Sequence, residues 1–470
     1  MLLVLVLITS FLFCLLEAAR VKSIHSIAGL QTELAVMNAF AVYNQELWEE
    51  YKSLGRNLSS LESDIIKEAS AGNKEEKMSF LNFSVNEVCE FQYVLATDGN
   101  GGLFIKGVSN YMQEYALYEN VQSLYSAYEA IKGLLEKGEL DMTKMDEALK
   151  LLESYYSNAK ESQDKAGELT KVPTETIIEK NPMEEVKKLQ KKGILQLVLK
   201  DTDSVSEKTL DMDKVVSKRS KKRGTLEVDS TVSWIDTILF QQYLLKYFGS
   251  YGNVKENRAL SYELEYLIGK KDNDTANLKA TVNKILLTRQ AANMLYLLND
   301  AEKMAMAHSA ALGFLVVGVP PAVVEVLKMG IIAAWAYAES ILDLRTLLDG
   351  KNIPFIKSSN LWTLDIDNIA SIGNSFLMAK ESESGISYEN YLRLLLFFEE
   401  EENMAFRAMD LMEASIQQKD ADFYMDNMVI GAAVQIEYVY KHLFLSFQFL
   451  PIYQDNRPVI LKDKQFFYAL

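Results

Sequence analysis

The chain has 470 residues, 49% of them apolar and 10% aromatic, which is enough to bury a large core and excludes a disordered protein. A net charge of −16 argues against nucleic acid as a partner, because the phosphates would be repelled. The two cysteines, Cys14 and Cys89, supply no disulfide framework, since Cys14 falls inside an apolar opening segment; an exported protein of this kind suits a bacterial surface.

Residues 1–16, MLLVLVLITSFLFCLL, carry no charge, and Ala18 and Ala19 extend the run if Glu17 snorkels to the interface. A cleaved signal peptide should show basic residues before the apolar core and a small-x-small site after it. Here no basic residue precedes the core, and Glu17 occupies the position three before a cut at Ala19. The segment is therefore read as an anchor over 1–19, with a cleaved signal and an inverted topology as the alternatives. Val21, Ile24, Ile27, Leu30, Leu34, Met37 and Ala41 continue the apolar pattern at helical spacing, which predicts one helix of about fifty residues. Glu17 and Arg20, three apart, would pair on one face and are the candidates for assembly within the membrane.

Further on, Cys89, Phe91, Tyr93 and Leu95 alternate with polar neighbours and predict a strand, with Asp98-Gly-Asn-Gly-Gly as a turn and Leu103–Ile105 as a hairpin return. Helical patterns follow between Asn110 and Leu135 and between Met142 and Tyr156. Residues 161–223 are polar, and from Lys160 to Arg223 hold 16 basic against 12 acidic residues; they read as a charged linker ending in SKRSKKR. TLEVDSTVSWI alternates briefly, helices run from Thr237 to about Leu348, and Val434, Ile436, Tyr438 and Tyr440 mark a late strand. Strands so far apart, with helices between, predict an α+β fold, mainly helical, in which the C-terminus closes a small antiparallel sheet begun early. The expected divisions are 1–19, 20–160, the linker 161–223, and a mainly helical domain over 224–470.

Each chemical candidate has a plainer role. The Asp98 loop lacks the ligand pattern of a calcium loop. Asp272, Asp274 and Asn277 precede a helix and suit capping better than a metal. Glu339 and Asp343 stand one helical turn apart, as acid–base partners or a cation site would, but no histidine lies at metal spacing, and Arg345 with Asp349 shows ordinary i,i+4 pairing on this helix, so structural charge is expected. His25, His308 and His442 are scattered and accompany no nucleophile. HSAALGFLVVGVPPAVVEVLKMGIIAAWAYAES is broken by Pro320-Pro321 and reads as a buried helical hairpin, with a membrane-dipping hairpin as the alternative.

Several stretches together, LLEAARV, LATDGNGGLFIKGVSNYM, YLLKYFGSY, LSYELEYLIGKKDNDTANLKATVNKILLTRQAANMLYL, AAWAYAESILDLRTLLDGK, YENYLRLLLF and RAMDLME, resemble a domain family of unknown function. That family occurs in Firmicutes beside tight-adherence (Tad/Flp) pilus genes. LLEAAR is also similar to the Glu-x-x-Arg ending of Tad-type minor pseudopilins, which keep a helix in the membrane and a globular part outside. The resemblance implies a membrane-anchored, extracytoplasmic, non-enzymatic component of a pilus or secretion apparatus, with protein partners and neither cofactor nor metal. A pilus-independent envelope adhesion protein is the alternative, followed by an envelope hydrolase built on acids such as Glu263, Glu339, Asp343 or Asp410.

Overall fold

The computed structural model describes residues 1–71, 80–113, 181–317, 319–444 and 457–468. The helical patterns expected between 114 and 156, and residues 161–180 of the expected linker, lie outside the described residues. Among the described residues helices dominate, and four strands form one antiparallel sheet. The chain divides into two compact units, the first made of 1–116, 212–243 and 401–470, the second of 117–211 and 244–400. The units are interleaved in sequence and do not follow the expected limits at 160 and 224.

In the first unit, α1 (Leu2–Ala41) is followed by α2 (Gln45–Tyr51), β1 (Arg56–Asn57), α3 (Leu58–Ala71), β2 (Phe83–Leu95) and α4 (Gly102–Gln113). After residue 400 come a helix, Glu401–Ile416, and the strands β3 (Met428–Tyr440) and β4 (Val459–Phe467). β3 is central: it pairs with β2 on one side and with β1 and β4 on the other. Phe91 lies opposite Val434, and Tyr438 opposite Ile460. The sheet thus joins early and late strands as their alternation predicts, with Val434, Ile436, Tyr438 and Tyr440 buried on one face. Gly431 in β3 has no room for a side chain, because a Cβ there would run into the Phe467 ring of β4.

The expected hairpin return at Leu103–Ile105 is instead helix α4, and TLEVDSTVSWI forms no strand. Asp98 redirects the chain: its carboxylate accepts from the backbone N–H of Leu95 at 2.7 Å and from that of Gly224. Gly101 then takes a φ of +79°, where a Cβ would also stand 2.9 Å from that of Ala405.

α1 stops at Ala41, short of the expected length, because Asn44 opens a new helix by accepting from the Leu47 N–H at 2.8 Å. Its second half lies on the sheet and on α3. The buried face is Ile24, Ala28, Gln31, Thr32, Ala35, Val36, Ala39 and Phe40, and the Thr32 and Tyr438 hydroxyls meet at 3.0 Å. Burying a side chain the size of Val36 or Phe40 contributes roughly 2 kcal/mol. Leu30, Leu34 and Met37, expected in the same apolar run, point outward and are about half exposed.

Residues 181–223 of the expected linker belong to the two folded units. Met183, Val186 and Leu189 bury the inner face of helix Pro182–Lys191 in the second unit. The basic end belongs to the first unit, where Ser217 donates through N–H and hydroxyl to Asp410 at 2.8 and 2.7 Å, and Arg219 donates to Glu413 and Asp426, each at 2.8 Å. These carboxylates, about 200 residues away, hold the segment that composition alone assigns to solvent.

The second unit packs Asp274–Asn299 against Val324–Leu348, with shorter helices around them. Side-chain caps start several helices: Asn273 accepts from Ala276 N–H, Asp300 from Lys303 N–H and Ser387 from Asn390 N–H. Pro321–Leu348 is long and apolar enough to cross a membrane by composition, yet most of it is buried. Trp335 in its middle is fully buried and donates its indole N–H to the Leu364 carbonyl at 2.8 Å. Ala301–Gly313 packs beside it across the Pro320-Pro321 break, but only Ala307 and Ala311 of that helix are buried, so the expected hairpin is buried in its second arm alone.

Candidate functional site: the foot of the long helix

The first sixteen residues of the chain are all exposed, and the helix they begin is long and apolar enough to span a membrane. Glu17 is the first buried residue, 2% exposed, and Arg20 is 3% exposed. The 3.6-residue period puts both on the side of α1 that faces the sheet. Arg20 Nη2 lies 2.8 Å from Glu17 Oε1, and its Nε lies 3.3 Å from Oε2. The pair expected from the spacing therefore forms.

Its remaining partners all come from the same unit. Arg20 donates to the Leu81 carbonyl just before β2 and to the Lys441 carbonyl just after β3, both at 2.5 Å. Glu17 accepts from the backbone N–H of Phe444 at 3.2 Å and of Leu443 at 3.4 Å, and it lies 3.0 Å from His442 Nδ1. The Arg20 guanidinium stands 6.0 Å from the centre of the Tyr440 ring. One acid and one base on α1 thus gather the two chain ends that leave the sheet on this side. The sequence signals the pair by its spacing but gives no sign of Leu81, His442 or Phe444, which enter only through tertiary pairing.

The other acidic candidates do not converge. Asp410 lies in the first unit, and Glu263 is taken up in the second by the Gly249 N–H at 2.6 Å. Asp274 accepts from the backbone N–H groups of Ser261 and Tyr262 and from the Ser206 hydroxyl, while Asn277 exchanges hydrogen bonds with Lys271; both serve the backbone. Among the described residues, Glu87, Cys89 and Glu437 bring ligand atoms within 4.8 Å of one another, but Glu87 and Cys89 are exposed and Asn86 already occupies Glu437 at 2.7 Å.

Glu339 and Asp343 are fully buried in the second unit together with Lys357 and Arg289. Arg289 Nη2 meets Asp343 Oδ2 at 2.9 Å, and Lys357 pairs with Glu339 and stands 2.6 Å from Asp343 Oδ1. The Thr363 and Leu364 N–H groups complete Glu339, and Asn293 donates to Asp343 at 2.8 Å. Burial raises the Glu339 pKa, and Asp343 adds to this; burial also works on Asp343, but Arg289 and Lys357 outweigh it and hold that carboxyl low. Two acids and two bases cancel in a sealed core. This is a structural lock, and Arg345, expected to pair with Asp349, donates instead to the carbonyls of Leu197, Ile372, Ser375 and Leu377.

Glu265 is a separate buried acid. Oε1 accepts from Tyr251 N–H at 2.9 Å and from the Tyr388 hydroxyl at 2.8 Å, while Oε2 has no partner. Burial moves its pKa from the ordinary 4.5 up to about 7. A folded-state pKa above the unfolded one stabilises at low pH and loses that contribution as pH rises through the folded value. The second unit is therefore expected to lose about 3 kcal/mol between pH 4.5 and about 7. Urea midpoints measured across this range should fall for the wild type and stay flatter for Glu265→Gln; parallel curves would remove Glu265 as the cause.

Fold and site define an α+β protein whose single long N-terminal helix is apolar and exposed over its first half and packed on a sheet over its second. The chain belongs to the family of unknown function DUF5702, which matches residues 173–440, more than half of its length. No curated protein and no solved structure matches it.

Proposed function

We propose that the protein is a membrane-anchored, extracytoplasmic and non-enzymatic component of a Tad/Flp-type pilus or secretion apparatus of Firmicutes, acting by association with other proteins. The observation that carries this reading is the division of α1. Residues 1–16 expose apolar side chains on every side, as lipid or neighbouring membrane helices require, while Ile24–Phe40 fix the same helix to a folded unit. Leu30, Leu34 and Met37 continue an apolar stripe on the outer side of α1 above the anchor, and a neighbouring helix of an assembly would cover them. The similarity of LLEAAR to pseudopilin helix ends supports the same arrangement.

The chain is expected to pellet with membranes, to resist carbonate extraction and to keep residues 1–19. N-terminal sequencing of the cell-associated protein that began at Arg20 or beyond would refute the anchor. A photo-crosslinking residue at Leu34 should give adducts with pilins or with the pilus platform in the membrane. Adducts confined to wall polymer would favour the pilus-independent adhesion protein instead.

A further inference from the structure

We propose that the end of the sheet beside Glu17 is a lipid-contacting surface, on which the turns at Phe80–Leu81 and Leu443–Phe444 enter the interfacial layer of the bilayer that holds α1. The inference rests on the anchor reading and goes beyond it, since an anchor alone places no part of the folded unit in lipid.

Three rings from distant segments line up at one level of the helix. Phe13 stacks on Phe444 with centroids 5.8 Å apart and planes 12° apart, and Phe444 meets Phe80 at 6.1 Å. Phe13 is one turn before Glu17, so this level lies on the anchor side of the charge pair, about 6 Å along the axis. Phe13, Phe80 and Leu443 remain 47%, 56% and 42% exposed, and their surface is continuous with the exposed apolar helix. Water would have to cover all of it, or lipid would. Phenylalanine rings carry no polar atom, so these three suit the acyl side of the headgroup boundary, where interfacial segments bury their Phe and Leu side chains.

The backbone of the two turns supplies the second argument. Irregular backbone enters a non-polar layer only when its polar groups are satisfied by protein. Here the Leu443 and Phe444 N–H groups are given to Glu17, and the Leu81 and Lys441 carbonyls are taken by Arg20. The same contacts explain how a carboxylate lies at the foot of an apolar helix: protein encloses it and lipid does not meet it. Lys22 and Lys441 are exposed just beyond the charge pair, where a long side chain that snorkels would meet lipid phosphates.

The test uses the full chain with Cys14→Ser and Cys89→Ser, carrying one environment-sensitive fluorophore on a cysteine at Leu12, Glu49, Phe80 or Leu443. The labelled proteins are placed in nanodiscs, one chain per disc, with doxyl groups at shallow or deep positions on the lipid. Leu12→Cys should be quenched by deep groups and Glu49→Cys by neither. Phe80→Cys and Leu443→Cys should shift to the blue and be quenched by shallow groups. If Leu12→Cys is quenched while Phe80→Cys and Leu443→Cys behave like Glu49→Cys, the lipid contact is wrong and the anchor stands. If Leu12→Cys is not quenched either, the anchor itself fails. Protection of Phe80→Cys and Leu443→Cys from aqueous iodide without lipid quenching would show that the chain itself, and not lipid, covers these turns and would overturn the proposal.

Discussion

Lys357→Met is expected to destabilise the second unit by about 3–5 kcal/mol, the cost of leaving a buried charge without its partner. Lys357 touches Glu339 and Asp343, and none of the three side chains reaches solvent. Asp343 would keep Arg289, but Glu339 would keep only two backbone N–H groups. The double variant Lys357→Met with Glu339→Gln removes one charge of each sign and should recover most of the loss. Urea unfolding of the full chain in detergent, followed by tryptophan fluorescence, reads the effect because Trp335 and Trp362 lie in the same core, with ring centres 5.7 Å apart. A single variant as stable as the wild type would show that these charges are not desolvated as described.

The second large effect is expected at Glu17. A pair whose only task is to join neighbouring subunits predicts that Glu17→Ala leaves the folded unit untouched. The geometry predicts otherwise, because the carboxylate also receives His442 and the N–H groups of Leu443 and Phe444. Its loss strands a guanidinium that is 3% exposed and frees two backbone donors, for about 3 kcal/mol. Hydrogen exchange in nanodiscs should show faster exchange at 442–444 and 81–85 than in the wild type. The charge swap Glu17→Arg with Arg20→Glu separates the two roles. A pair between subunits tolerates reversal if both chains carry it, whereas here position 17 must accept from N–H groups and position 20 must donate to carbonyls. The swap should therefore exchange as fast as Glu17→Ala, and protection restored by it would return the pair to an assembly role alone.

What the sequence makes legible follows from the range of the interaction. The apolar run of 1–16, the Glu17–Arg20 spacing and the alternation in β3 are local patterns that the structure contains. In β2 the expected alternation fails at Cys89, which a bulge between Val88 and Glu90 leaves exposed. The buried face of α1 is different. Helical spacing suits Leu30, Leu34 and Met37 as well as Ile24, yet the buried side is Ile24, Ala28, Gln31, Thr32, Ala35, Val36, Ala39 and Phe40. Periodicity shows that a helix has faces, but which face is covered is decided by segments distant in sequence. The locks are hidden for a related reason. Arg289 and Asp343 are 54 positions apart and Arg219 and Glu413 are 194, so each reads alone as a surface charge. Asp98 looked like the tip of a hairpin because Gly-Asn-Gly-Gly permits a reversal, and the same glycines equally permit the turn into α4.

The pairing of β2 with β3 also sets an order of events during synthesis. Residues in contact across these strands, such as Asn86 and Glu437, are 351 positions apart. Closing a loop of that length costs about 5 kcal/mol of chain entropy. At 5–20 residues per second, the ribosome needs roughly half a minute between making one strand and making the other. During that interval α1 and β2 exist without their sheet, and β2 offers an open edge to any other extended chain. The second unit is complete by residue 400 and has every segment it needs before β3 appears. A nascent chain stopped between residue 400 and β3 would thus carry a finished second unit beside an unfinished first one, its apolar helix and strand edge both uncovered. Holding that edge until the last strands arrive is a task for a chaperone, and chains that lose their final seventy residues should be cleared as misfolded rather than accumulate as shortened anchors.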